Sequence, residues 1–162
     1  MLKPTKHATT NYRMLKPYLD AADAHDGHAR FLSGALMPLV VENLGYTFRG
    51  GQVYSVTHYG ELNGDLMRDP DLTISVNHAS GTVDPLTFQN DYMGRYEEVY
   101  LTNEAGQERY RPYLRTDLDG FLRQWLKESI TVCYDPANID RSRDKPDEDN
   151  EPDGTQLSIL AG

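Results

Sequence analysis

The sequence has one cysteine, Cys133, so neither an internal disulfide nor a cysteine-based zinc cluster can form within the chain. No neighbouring cation or helix start would activate its thiolate, and Cys133 reads as a passive, half-buried thiol. No apolar run approaches the roughly 18 residues that a membrane span requires. The phosphate-cradling loop of nucleotide-binding proteins is missing, because Gly50-Gly51 has neither its spacing nor its lysine. A G-x-S-x-G nucleophile elbow is missing too. Residues 1–13, MLKPTKHATTNYR, are basic without an apolar centre. That is not the pattern of a secretory leader, and the expected compartment is the cytoplasm.

Positive charge is scarce where it would matter for duplex DNA. The 162 residues carry a net charge of −9, unevenly spread. Residues 1–16 hold Lys3, Lys6, Arg13 and Lys16 with no acid, residues 17–134 hold seventeen acids against nine bases, and residues 135–153 hold eight acids against three bases. A duplex-DNA binder needs cations to replace the counterions of the phosphates. An acidic body suits a soluble protein, a binder of cationic partners, or a mimic of a phosphate backbone.

What is present reads as one domain. Residues 11–24 place Met14, Leu15, Tyr18, Leu19 and Ala22 at helical spacing, with Pro17 awkward inside. DAHDGHARFLSG reads as a loop, and ALMPLVVENL as a strand. QVYSVTHY and DLTISVN alternate with period two, and PLTFQND and RYEEVYL suggest a further pair around Gly94. Residues 112–130 carry the stripe Leu114, Leu118, Phe121, Leu122, Trp125 and Leu126, with Thr116 and Asp119 spaced as a capping box. The expectation is α+β: an antiparallel sheet of four to five strands packed by an N-terminal and a C-terminal helix. Residues 1–10 are expected as a basic flexible N-terminus, 11–134 as the domain, and 135–162 as an acidic disordered tail.

The densest chemistry lies in HYGELNGDLMRDPDLTISV, residues 58–76. If strands end near Tyr59 and restart near Asp71, the connection is a polar loop of roughly eleven residues, long for a hairpin. His58, Asp65, Asp69 and Asp71 could then converge on Mg²⁺ or Mn²⁺, with His58 as ligand or base. The alternative reading is structural. Asn63-Gly64 and Asp69-Pro70 make turns, the acids cap backbone N–H groups, and His58 ends a core-facing strand with a hydrogen bond. On this reading the loop doubles as a binding surface of His58, Tyr59, Glu61, Asn63, Asp65, Asp69 and Asp71. Asn90, Asp91 and Tyr92 extend it. A second cluster, Asp23 to His28, has two histidines and flanking acids that could bind Zn²⁺, and it reads more simply as a solvated helix end. Eleven tyrosines against four phenylalanines favour a contact face without locating it.

HYGELNGDLMRDPDLTISV, and FQNDYMGRYEEVYL followed by a Leu/Phe/Trp helix, resemble two blocks of an uncharacterised family of small proteins from bacterial plasmids, integrative conjugative elements and phages. The resemblance covers roughly residues 36–130 and departs at Leu62, where the family pattern has glutamine. It implies a mobile-element accessory protein in a bacterial cytoplasm and supplies no reaction. The expected function is binding rather than catalysis, in its sharpest form as an acidic anti-defence or regulatory protein. A protein partner is expected, with no direct duplex-DNA binding, no membrane and no cofactor. The alternative is a divalent-metal-dependent hydrolase or nuclease using the His58–Asp71 loop, with Mg²⁺ or Mn²⁺ as cofactor.

Overall fold

The computed structural model describes residues 2–142. Helix α1 (Ala8–Ala24) starts earlier than the apolar spacing predicts and carries Pro17 within it. It lays Leu15, Tyr18, Leu19 and Ala22 on a sheet of six strands in plain meander order. These are β1 (His28–Phe31), β2 (Leu39–Phe48), β3 (Gly51–Leu62), β4 (Asp65–Asn77), β5 (Thr82–Asn90) and β6 (Arg95–Glu98), each antiparallel to its neighbour. A separate two-stranded sheet, β7 (Tyr100–Thr102) and β8 (Glu108–Tyr110), precedes α2 (Pro112–Trp125). Helix α2 runs on through a π-helical turn, Leu126–Ile130, to a last short turn ending at Cys133. Among the described residues no helix is long and apolar enough to cross a membrane.

The α+β expectation holds, with six strands in the main sheet rather than four or five. The additional strand is β1, HARF, which lies in the stretch read as loop. Both helices cover one sheet face, where Val41, Tyr54, Val56, Leu72, Ile74 and Phe88 meet Leu118, Leu122, Trp125 and Leu126. The opposite face presents Ser55, Thr57, Thr73 and Thr87, as strand alternation requires.

Two prolines sit inside central strands, and both occur at register shifts. Between the pairs Thr57↔Asp71 and Tyr59↔Arg68, β4 has one residue more than β3, so Asp69 and Pro70 together oppose His58. Between Thr73↔Thr87 and Ile74↔Pro85 the extra residue is on β5. A bulge frees one residue from the ladder, and proline, which has no N–H to donate, is tolerated there.

Asp119 does not form the local capping box with Thr116. Helix α2 begins at Pro112, and Asp119 lies buried about two turns further in, facing α1. Its carboxylate accepts the His7 backbone N–H at 3.0 Å, at the α1 N-terminus, and the Asn11 side-chain amide donates to its backbone carbonyl at 3.2 Å. Further along α1, the Tyr18 hydroxyl donates to the carbonyls of Ile130 and Tyr134 at 3.2 and 2.6 Å.

Composition places residues from 135 onward in a solvated tail, but residues 138–140 run beside β1. Leu32 N–H donates to the Asn138 carbonyl at 3.1 Å, Asp140 N–H to the Arg30 carbonyl at 2.8 Å, and Ile139 bridges to Phe31. One aliphatic side chain plus an open strand edge suffices to hold the segment. The remainder of the expected tail, 143–162, lies outside the described residues.

Trp125 is buried between the sheet and Phe121, so Trp125→Ala should cost about 3–5 kcal/mol in chemical denaturation. Ile139→Ala should cost about 1–2 kcal/mol, since the residue is half-buried. An Ile139→Ala protein as stable as the parent would show that residues 138–140 contribute nothing to the domain.

Candidate binding surface at the hairpin end of the sheet

The expected eleven-residue loop is a hairpin. Strands β3 and β4 stay paired from Tyr59↔Arg68 out to Leu62↔Asp65, and only Asn63-Gly64 turns the chain. Both turn residues have positive φ, +52° and +85°. That is the type I′ geometry whose twist matches the flanking strands and for which Asn-Gly is favoured. Polar residues signalled a loop, yet nothing prevents them from continuing a ladder into solvent.

Strand phase then separates the proposed metal ligands. His58 points to the helix-covered face and is 7% exposed. Its ring lies 5.0 Å from that of Trp125 and 5.4 Å from that of Tyr134. Asp71 pairs with Thr57 on the opposite face and accepts a 3.0 Å hydrogen bond from the Thr57 hydroxyl. Asp65 is exposed beside the turn. Asp69 accepts from the Asn90 amide at 2.9 Å. The four do not converge, and among the described residues no three His, Cys, Asp or Glu side chains gather as a metal site. The second cluster is dispersed too. Asp23 accepts the Tyr54 hydroxyl at 2.6 Å, His25 closes the helix with Nδ1 2.8 Å from the Ala21 carbonyl, and His28 belongs to β1.

The structural reading of His58 is right about the face and wrong about the hydrogen bond: Nε2 is buried without a partner. Burial pushes the pKa down to about 4, with Asp69 pulling in the other direction. Burial pushes Asp71 above the usual carboxylate range, against the Thr57 hydroxyl and Arg68.

Several of the other sequence candidates meet at this end. Asp91, in the β5–β6 turn, accepts the Arg68 backbone N–H at 2.8 Å and its Nε–H at 3.0 Å. The first of these bonds is the main reason its carboxyl lies below the usual range. Asn90 links Asp69 to the Met93 N–H at 3.2 Å. The Tyr92 hydroxyl donates to the Glu61 carbonyl at 3.3 Å and covers Gly60, where a Cβ would collide with it. Tyr59, on the open face, lines a cavity of about 240 Å³ with Arg30, Val40, Glu42 and Leu66. Glu61 and Asn63 are exposed around the tip.

The sequence reading missed the apolar part of this surface. The β1–β2 loop, the hairpin tip and the β5–β6 turn all lie at the same end of the meander. They expose Leu36 and Met37, Leu62 and Leu66, and Tyr92 and Met93, with Leu66 70% and Met93 66% exposed. Leucines flanking an Asn-Gly turn, where polar residues would serve, were the available signal. The arrangement holds no nucleophile paired with a base. What it presents is exposed apolar side chains bordered by Glu61, Asn63 and Asp65, beside a turn that Asp91 pins to Arg68.

His58 gives a pH signature. Its folded pKa of about 4 lies below the ordinary 6.5, so the unfolded chain takes up the proton first as pH falls. The neutral ring's contribution is present above pH 6.5 and lost progressively towards pH 4, a change of roughly 3 kcal/mol. His58→Phe should flatten the fall in stability across that interval, measured by urea denaturation, and parallel curves would refute the assignment. Millimolar Mn²⁺ should leave the melting temperature of the parent and of Asp65→Asn unchanged, whereas a rise of several degrees in the parent alone would restore the metal reading.

No curated protein and no solved structure matches the chain. The family described as Domain of unknown function (DUF6908) matches residues 12–130, which contain the whole six-stranded sheet, all of α2 and most of α1. The chain therefore belongs to the DUF6908 family.

Proposed function

We propose that the protein acts by binding another protein through the hairpin end of its sheet, and that it does so as an accessory protein of a bacterial mobile element. The observation that carries the reading is the six large apolar side chains exposed at that one end. Exposed apolar side chains gathered at one end of a fold among polar residues mark interaction sites in soluble proteins, and here they lie on both faces of the hairpin, Leu66 with Tyr59 and Leu62 with Gly60. A partner suited to it offers an apolar patch with basic residues around it, to meet Glu61 and Asp65.

The mobile-element setting and the cytoplasm of a bacterial host rest on the resemblance of the Asn63-Gly64-Asp65 and Asp69-Pro70-Asp71 block to proteins of plasmids, integrative elements and phages. In that setting an acidic binder serves as a regulatory or anti-defence protein, occupying a surface on host machinery. Catalysis through residues 58–71 loses its basis once His58 and Asp71 face opposite ways.

A photocrosslinking residue at position 66 tests the reading in bacterial extract, with position 127, on an exposed part of the π-helical turn, as control. The expected result is a discrete adduct from position 66, absent at 127 and abolished by Leu62→Asp with Met93→Asp. Both substitutions lie at exposed positions and should leave the fold intact. Identical adducts from both positions, or none from 66, would overturn it.

A further inference from the structure

We infer that the protein has a second binding surface, for single-stranded nucleic acid, centred on Tyr110. Three clefts of about 490, 510 and 140 Å³ adjoin at this residue, which lines all of them. The first contains Arg95 and Arg111, the second Lys3, Lys6 and Arg115, the third Arg49 and Arg109. These are seven of the fourteen lysines and arginines among the described residues. The same linings contribute four acids, Glu97, Glu108, Asp117 and Asp119, and Asp119 is buried and bonded to α1. A protein of net charge −9 thus places half of its described lysines and arginines in clefts around one tyrosine.

Some of these cations are committed: Arg115 to Asp84 at 2.7 Å, Arg49 to Glu108 at 3.3 Å, and Arg95 and Arg111 to Glu97. Lys3, Lys6 and Arg109 have no ion pair among the described residues. Helix α2 opens onto the first cleft at Pro112 with no side-chain cap and no acid in its first turn, which leaves its positive end available. The surface is therefore built for a polyanion.

Aromatic exposure identifies which polyanion. Tyr113 is 87% exposed beside Arg111, Tyr110 is 41% exposed, and the Arg49 guanidinium lies 4.9 Å over the Tyr100 ring. Cations beside the open Tyr113 ring and the part-exposed Tyr110, itself stacked on Tyr100 at 6.2 Å, fit a strand of phosphates and bases, because every base has a face to stack. An acidic peptide would satisfy the cations and leave the rings unused. A duplex is a stiff rod that cannot enter clefts divided around one tyrosine, and it would extend over the acidic remainder of the protein. A single strand can follow the clefts and bend away.

Fluorescence anisotropy with a labelled twelve-nucleotide oligo(dT) at low salt tests this, with poly-glutamate and a duplex of equal length as comparison. The oligonucleotide should bind, and log affinity should fall linearly with log salt. Arg109→Ala and Lys6→Ala should each lower that slope by about 0.7. Tyr113→Ala should weaken binding at least about fivefold, with the circular dichroism spectrum unchanged. Leu62→Asp with Leu66→Asp should leave oligonucleotide binding as it is, so failure here is separable from failure at the hairpin end. Absence of oligonucleotide binding, a duplex bound equally well, or poly-glutamate bound as tightly with no effect of Tyr113→Ala would each overturn the proposal.

Discussion

The phase of the β3–β4 hairpin is the constraint on which the rest depends. Asn63-Gly64 sets the register from the tip inward, and the bulge at Asp69-Pro70 shifts it once before the sheet's centre. If the same residues paired from the tip without that bulge, every side chain of β4 beyond it would point to the other face. Leu72, Ile74 and Val76 would leave the helices, and Asp71 and Thr73 would enter the core. The bulge is thus what lets a charged, solvent-facing hairpin continue into a buried sheet. It also explains why carboxylates that look clustered in sequence are distributed over two faces and a tip.

The covered face is closed by a small number of polar contacts at its margins. Asp119 from α2 holds the N-terminus of α1, and Tyr18 from α1 holds the last carbonyls of the C-terminal helix. Asp119 satisfies a backbone N–H at the start of α1, and Tyr18 satisfies the Tyr134 carbonyl just past the C-terminal helix while sharing the Ile130 carbonyl with the Tyr134 N–H. Between them His58 occupies a place where an apolar ring would serve. A buried donor or acceptor without a partner costs about 1–3 kcal/mol. Its edge-to-face contact with Trp125 and tilted contact with Tyr134 offset part of this, and the ring remains neutral at physiological pH.

Elements with enough residues to show a period were legible in the sequence. The α2 stripe from Leu114 to Leu126 and the alternation in DLTISVN correspond to a helix and a strand whose buried sides are the ones expected. What escaped was set by partners distant in sequence. HARF is four residues long, too short for any period, and is a strand because β2 and residues 138–140 pair with it. Bulges leave no local mark except a proline that looks misplaced. Asp119 reads as a capping residue of its own helix, and its actual partner at His7 is 112 positions away. For the candidate surface, the polar residues drew notice because they suggest chemistry, while Leu62 and Leu66 look like ordinary strand residues until the pairing shows how far the hairpin extends past the sheet.

Net charge is the global quantity that says least about any one surface, for a physical reason. Charges further apart than the Debye length, about 8 Å at physiological ionic strength, scarcely influence each other at an exposed surface. A sum over the chain therefore says little about what any one patch attracts. Here the fold brings the N-terminal Lys3 and Lys6, Arg49 from the β2–β3 turn, and the arginines of β6, β8 and early α2 together around Tyr110. Much of the negative charge is left elsewhere, including the hairpin end. An apolar surface with an acidic rim and a basic surface with open tyrosines are presented by one sheet and its flanking segments. The sum of −9 does not reveal that half of the lysines and arginines among the described residues line clefts around one tyrosine.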